Sequence, residues 1–234
     1  MKLNIIFEDN DIIVCYKPAG IASQDERSFQ PDMCSMIKNH LVMEERKNNP
    51  GAKIAEPYVG VVHRLDKPVE GVIVYGKNPG AAACLSRQVS NANGQQKLMK
   101  KKYHALVHGI LPIDPPSITH TMKDYLVFDK KSNYSKAANS NQPNAKSAIL
   151  EYRCIEHKKV NENTFSLLDI TLITGRHHQI RVQFANAGFP LVGDHKYGLN
   201  DQYRKLELCA YQLSFEHPNG EYKTFVKQSN YANN

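Results

Sequence analysis

No apolar run in this chain of 234 residues approaches the ~20 residues that a helix needs to cross a bilayer. The opening MKLNIIFEDNDIIVCYK places Glu8, Asp9 and Asp11 inside its apolar stretch, unlike a cleavable leader. A cytoplasmic chain without membrane contact is expected. Cysteine is scarce: Cys15, Cys34, Cys84, Cys154 and Cys209 are odd in number, far apart and form no CxxC pair. That pattern suggests neither a disulfide framework nor a cysteine zinc site, and leaves reduced, mostly buried thiols as the expectation. The sequence also has no internal repeat and no heptad pattern, so nothing opposes a monomer. Lys17-Pro18-Ala19-Gly20 lacks the Gly-x-x-x-x-Gly-Lys spacing of a phosphate loop and reads as a turn whose proline fixes φ.

What is present is an ordinary globular composition, 41% hydrophobic and 23% charged, with apolar mass for one sizeable core. A single domain over residues 1–234 is expected. Thirty Lys and Arg against 23 Asp and Glu give a formal charge of +7 and a pI near 9.0, which favours a polyanionic partner.

The apolar period switches repeatedly between two and 3.6. Residues 4–7 and 12–16 read as a strand pair, 32–45 as a helix, 59–62 and 72–75 as strands, and 80–90 as a small-residue helix. Residues 103–108, 125–128, 148–155 and 164–173 are rich in β-branched and aromatic types and read as strands. A further helix is predicted over 176–187, with Ile180, Phe184 and Ala187 at helical spacing and Gly188 placed to close it. Polar stretches at 44–53, 90–96 and 139–144 and the terminal YANN read as loops or frayed ends. Strands outnumber helices and the turns are short, so the class predicted is α+β, a mixed, mainly antiparallel central sheet with flanking helices.

The densest chemical constellation is Val61-Val62-His63-Arg64-Leu65-Asp66-Lys67, an apolar strand running into a cation, an apolar residue and a carboxylate. By spacing alone Arg64 and Asp66 read as a surface ion pair worth ~0–1 kcal/mol. Its company changes that reading. Lys17-Pro18-Ala19-Gly20, the HRLD block with Gly71 and an apolar strand after it, Lys101-Lys102-Tyr103-His104-Ala105-Leu106-Val107-His108-Gly109, and Thr174-Gly175-Arg176-His177-His178-Gln179-Ile180-Arg181-Val182 followed by Gly193-Asp194 and Tyr197-Gly198 occur in this order. Together they resemble the RluA-type RNA pseudouridine synthases, from about residue 10 to about residue 211.

The resemblance implies an isomerase that cuts the N1–C1′ bond of a uridine in structured RNA, ribosomal or transfer, turns the uracil and rejoins it through C5 without metal or cofactor. It makes Asp66 the catalytic aspartate, Tyr103 the ring that stacks on the uracil, and Arg181 the partner of the catalytic carboxylate. Arg64 is the arginine that enters where the nucleotide leaves the stack, and Ile180 lines the pocket. Arg176 and His178 of the last block, and Lys101 and Lys102 of a basic run that also includes Lys97 and Lys100, complete the expected substrate-binding set. These residue types suit the reaction. A glycosidic carbon with oxocarbenium character needs a nearby anion, to stabilise charge or to form an adduct. A guanidinium within about 4 to 6 Å keeps such a carboxylate ionised. An aromatic platform worth ~1–3 kcal/mol offsets much of the cost of flipping a base out, and the Tyr103 hydroxyl can help remove the C5 proton. Attack at C1′ and attack at C6 both remain open.

Two positions depart from the family pattern. Lys67-Pro68-Val69-Glu70-Gly71 follows HRLD where most members of the resembled family carry a lysine, an acid, Thr and Ser before the glycine, and His177 stands where they usually have threonine. An alternative reading, a catalytically silent RNA-binding module, draws on the +7 charge and the altered turn. A third, a histidine-dependent metallohydrolase, fits poorly, because adjacent histidines on a helix point about 100° apart; no metal is expected. The chain starts at a predicted strand, so a separate N-terminal RNA-binding domain is not expected.

Overall fold

The computed structural model describes residues 2–25, 30–89, 99–160, 162–227 and 229. Lys97 and the expected loops at 90–96 and 231–234 lie wholly or mainly outside that set. The chain falls into two compact units, Met1–Lys100 with Tyr211–Asn234, and Lys101–Ala210.

In the first unit β1 (Asn4–Glu8) and β2 (Ile12–Lys17) form a hairpin, closed where the Asp9 carboxylate accepts the N–H groups of Asp11 and Ile12, both at 2.9 Å. Helix α1 (Met33–Asn48) starts at Asp32, whose carboxylate accepts from the Cys34 and Ser35 N–H groups at 2.8 and 3.2 Å. The short β3 (Gly60–Val61) and the wholly buried β4 (Glu70–Gly76) follow, and β4 pairs with both β2 and β3. Helix α2 (Pro79–Val89) lays Ala81 and Leu85 on a core made with Ile12, Val14, Val72, Val74, Met99, Leu213 and Phe215.

In the second unit β5 (Lys100–His108), β9 (Asn163–Leu172), β8 (Lys146–Val160), β6 (His120–Asp129) and β7 (Tyr134–Ala138) pair in that order, with β6 lying between β7 and β8. Helix α3 (Gln179–Asn186) packs Val182 on Leu126 and Ala148. β10 (Leu208–Glu216) pairs with β11 (Tyr222–Val226). All these pairings are antiparallel, and the class is the α+β one expected.

Three strands were not anticipated. In β7, YSKAA, only Ser135 is buried and Lys and Ala are poor strand formers, so pairing with β6 decides its state. β10 is buried through much of its length, which hides the two-residue period that marks a half-exposed strand. β11 alternates, but over five residues only. A fourth difference is α3, which starts three residues later than position 176 because His178 takes a left-handed conformation, φ 54° and ψ 25°.

All five cysteines are free. Burial pushes the Cys15 thiol up to about 12 and the Cys34 thiol to about 11, with nearby carboxylates adding to the shift, so both are inert. Among the described residues no helix is long and apolar enough to cross a membrane.

Candidate active site

The candidate residues divide between the two units. Arg64 and Asp66 belong to the first; Lys101, Lys102, Tyr103, Arg176, His178, Ile180 and Arg181 belong to the second.

Asp66 lies on the connection between β3 and β4, and this connection is held through its main chain. Leu65 is clamped by Ser23: its N–H donates to Oγ at 3.0 Å and its carbonyl accepts from the same hydroxyl at 2.7 Å. One residue past Asp66, the Lys67 carbonyl accepts from the Gly20 N–H at 2.8 Å and from the Lys17 ammonium at 3.1 Å. Lys17 has no exposed surface, and its Nζ also donates to the carbonyls of Pro18 and Ile21 at 3.1 and 2.7 Å. A buried ammonium is tolerated only when its protons are taken up in this way. Gly20, at φ +85°, supplies the left-handed corner that brings the 18–21 carbonyls round the ammonium. The Val69 N–H closes a turn on the Asp66 carbonyl at 2.9 Å. Within this frame Asp66 is half-buried and Arg64 exposed. The KPAG turn thus has a second task, as the seat of the loop that carries the carboxylate.

In the second unit Tyr103 is nine-tenths buried at the middle of β5, opposite Ile170 on β9. Strand alternation puts Lys102 on the reverse face, where its Nζ lies 3.7 Å from an Asp169 carboxylate that also takes Arg153 at 3.3 Å. The basic run therefore does not present all its lysines beside the tyrosine; Lys101 shares the tyrosine's face by the same alternation.

The last block is fixed by side chains. Arg181 and Asp194 are 5% and 1% exposed and meet in a fork, Nε to Oδ2 at 2.8 Å and Nη2 to Oδ1 at 2.6 Å. Asp194 also accepts the N–H groups of Lys196 and Tyr197 at 3.0 and 3.1 Å. Burial alone would raise its pKa, but the Arg181 hydrogen bond and charge and the two N–H groups outweigh it and hold the carboxyl below its usual range. The Arg181 guanidinium carbon lies 5.1 Å from the centre of the Tyr197 ring. The Tyr197 hydroxyl accepts the Ser135 N–H at 2.9 Å and is 2.7 Å from His178 Nδ1.

Burial, with Arg181, His177 and Lys196 as like charges, drives His178 down to about 3, so its ring is neutral at any physiological pH. Gln179 ties the block to the sheet: its Oε1 accepts from Thr174 Oγ1 and the Arg176 N–H, and its Nε2 donates to the Ile149 carbonyl. Arg176 is exposed and donates from Nε to the Ser147 carbonyl at 2.8 Å; Ile180 is 5% exposed.

One feature differs from what spacing suggested. The histidines at 177 and 178 do not diverge as on a helix; because residue 178 is left-handed their rings stack, 3.7 Å between centres. Among the described residues no group of three or more His, Cys, Asp or Glu is gathered as a metal ion would need. The partner roles of Asp194, Tyr197 and Lys17 were not assigned from sequence. The only trace was the presence of all three within the ordered blocks, since a bond across thirteen residues leaves no periodic signal.

A family model described as RNA pseudouridylate synthase matches residues 11–186. The chain is 32% identical to the "Uncharacterized RNA pseudouridine synthase" of Aquifex aeolicus (strain VF5), over 96% of this chain and 69% of that one. It is 31% identical to the "Ribosomal large subunit pseudouridine synthase D" of Borreliella burgdorferi (strain ATCC 35210 / DSM 4680 / CIP 102532 / B31), over 97% and 65%. The chain thus spans about two thirds of the length of these curated relatives. In fold it is similar to "Human RNA Pseudouridylate Synthase Domain Containing 4", with a TM-score of 0.70 at 22% identity over 96% of this chain and 88% of that one.

Proposed function

We propose, from the premise that this chain belongs to the RNA pseudouridylate synthase family, that it isomerises uridine to pseudouridine in structured ribosomal RNA with Asp66 as the nucleophile. The observation that carries this reading is the family match over residues 11–186, which takes in the blocks of Asp66, Tyr103 and Arg181 together. Ribosomal RNA is favoured over transfer RNA by relatives such as the ribosomal large subunit pseudouridine synthase D of Borreliella burgdorferi.

The residues supply what the reaction requires. The target uridine leaves its stack at a cost of a few kcal/mol, with Arg64 entering in its place, and Tyr103 offers the flipped uracil a flat face worth ~1–3 kcal/mol. Asp66 meets the electron-poor centre as an anion, at C1′ or at C6, and releases the uracil for re-attachment through C5. Arg181 serves as the cation that keeps this carboxylate charged, and Tyr103 as the group that assists loss of the C5 proton. Ile180 and His178 give the pocket its apolar wall and a neutral ring, while Arg176 and Lys101 serve the RNA backbone and Lys102, on the reverse face of β5 with Asp169, stands apart from that contact.

The test is pseudouridine mapping of ribosomal RNA from cells with and without this gene, each complemented by wild type or Asp66→Asn. At least one pseudouridine should disappear with the gene, return with wild type and stay absent with Asp66→Asn, while the variant binds RNA undiminished. Full turnover by Asp66→Asn removes the role given to that residue. An unchanged map beside salt-sensitive RNA binding favours the silent module instead.

A further inference from the structure

We infer that the outer end of a three-ring stack in the second unit, at Phe128, is a second RNA subsite that receives one unpaired nucleobase. Phe128 and His177 lie 3.9 Å apart between ring centres at 32°, and His177 and His178 lie 3.7 Å apart at 34°. Two rings cannot share one face of an imidazole at such separations, so His177 is sandwiched between the others. The column is fixed at its inner end by His178 Nδ1 on the Tyr197 hydroxyl, with those two rings edge to face at 5.4 Å. Its middle is pinned by His177 Nδ1 against Ser135 Oγ at 2.9 Å. Its outer ring, Phe128, stays 40% exposed.

An exposed phenylalanine alone is ordinary. Here the ring is the open end of a rigid stack, and a nucleobase is the flat partner that extends such a stack. The charges around it point to a polyanion. On the face of β6 that carries Phe128, Lys146 stands opposite Leu126, and Lys130 and Lys131 follow in the turn after the ring, against Asp124 and Asp129; Lys123 and Lys136 lie on the reverse face. Both carboxylates are engaged: Asp129 accepts from the Lys131 N–H and Ser132 Oγ within its own turn, and Asp124 accepts from Gln183 Nε2. The lysines at 130, 131 and 146 are exposed, as is Arg176. The stack depends on His177, the residue that departs from the family's threonine, and a threonine has no ring to fill the middle place. RNA as the ligand rests on the function proposed above; the stacking geometry does not.

The experiment measures binding of the full chain to fluorescein-labelled 12-nucleotide oligoadenylate and oligouridylate across a salt series. Wild type should prefer the purine strand, which stacks better. Phe128→Leu keeps the apolar bulk and removes the ring. Provided it melts like wild type, it should lose about 5- to 100-fold in affinity for oligoadenylate and its purine preference, with the slope of log K against log salt unchanged because no phosphate contact is removed. His177→Thr should reproduce the loss and replaces Phe128→Leu if that variant does not fold. Equal affinity and equal preference in the folded variants overturn the subsite, as does a loss accompanied by a changed salt slope. Asp66→Asn serves as the parallel control: if it keeps pseudouridine formation the catalytic proposal fails while the Phe128 effect on oligonucleotide binding stands, and the reverse pattern sinks only the subsite.

Discussion

The segment around Asp66 and the segment around Arg181 are fixed by opposite means. In the first, the anchors are backbone carbonyls of residues 18, 21 and 67 gathered on one buried ammonium, with the Leu65 peptide clamped by Ser23. In the second, nearly every anchor is a side chain: Asp194 on Arg181, Tyr197 on His178, Gln179 on Thr174. A carbonyl is the same in every residue, so a loop held by carbonyls tolerates substitution between its anchors. A fork between a guanidinium and a carboxylate tolerates almost none. That contrast accounts for the departure at Pro68, Val69 and Glu70; the one at His177 falls in the side-chain-held segment, outside the Arg181–Asp194 fork.

The comparison is broken most severely at Asp194. Asp194→Ala removes the forked carboxylate from the buried Arg181, which costs about 3–5 kcal/mol and should appear as a large fall in the urea midpoint with little change in slope. The effect depends on pH in a fixed sense. The folded pKa of Asp194 is below that of the unfolded chain, so its stabilisation is complete above the unfolded value near 3.8 and is lost as pH falls through the lower, folded value. The gap between wild type and variant should therefore be constant from neutral pH down to about 5 and narrow only in stronger acid. A gap that already closes by pH 6 would mean that the carboxylate is not held by the arginine.

Lys17→Met tests the other half. It removes three charged hydrogen bonds of ~1.5–3 kcal/mol each and in return frees the fold from burying an ammonium, so the net loss should be about 2–3 kcal/mol. Because the Lys67 carbonyl is next to Asp66, kcat should drop at a temperature where the variant is fully folded, with KM little altered. A destabilised variant with wild-type kcat would show that the ammonium supports the fold and does not place the carboxylate.

Much of this molecule was readable from residue order. The hairpin at the start, α1, β4, α2 and the long strands of the second unit follow from apolar period and β-branched content, and the candidate site residues come from blocks of adjacent residues. What was not readable depends on distance along the chain. Nothing in KPAG says that its lysine points inward, because the three carbonyls that satisfy it are brought round by Gly20 and by a segment fifty residues away. Nor does the Arg176–Arg181 block reveal that His178 is left-handed: the apolar spacing of Ile180 and Phe184 is helical, and the conformation is imposed by the ring contacts of residues 177, 178 and 197. Alternation along β5 was legible in principle and separates Lys102 from Tyr103, which composition had grouped together.

The smallest effect is expected at Pro68, and it sharpens the comparison most. Pro68 lies inside the turn closed by the Val69 N–H on the Asp66 carbonyl, between two anchored peptides, at the position where relatives carry an acid. If the loop is held by carbonyls on Lys17 and by Ser23, Pro68→Ala changes none of those bonds. Its cost then comes from the freer unfolded chain, ~0.4–1 kcal/mol in stability. Turnover should stay within about twofold, equivalent to ~0.4 kcal/mol in the barrier. Pro68→Asp, which restores the family's acid, should be equally mild, since the acid is not needed where main-chain bonds already set the loop. A tenfold change in kcat from either substitution, in protein that melts near the wild-type temperature, would show that the residues of the turn themselves aim Asp66, and the distinction between a loop held by carbonyls and a segment held by side chains would no longer stand.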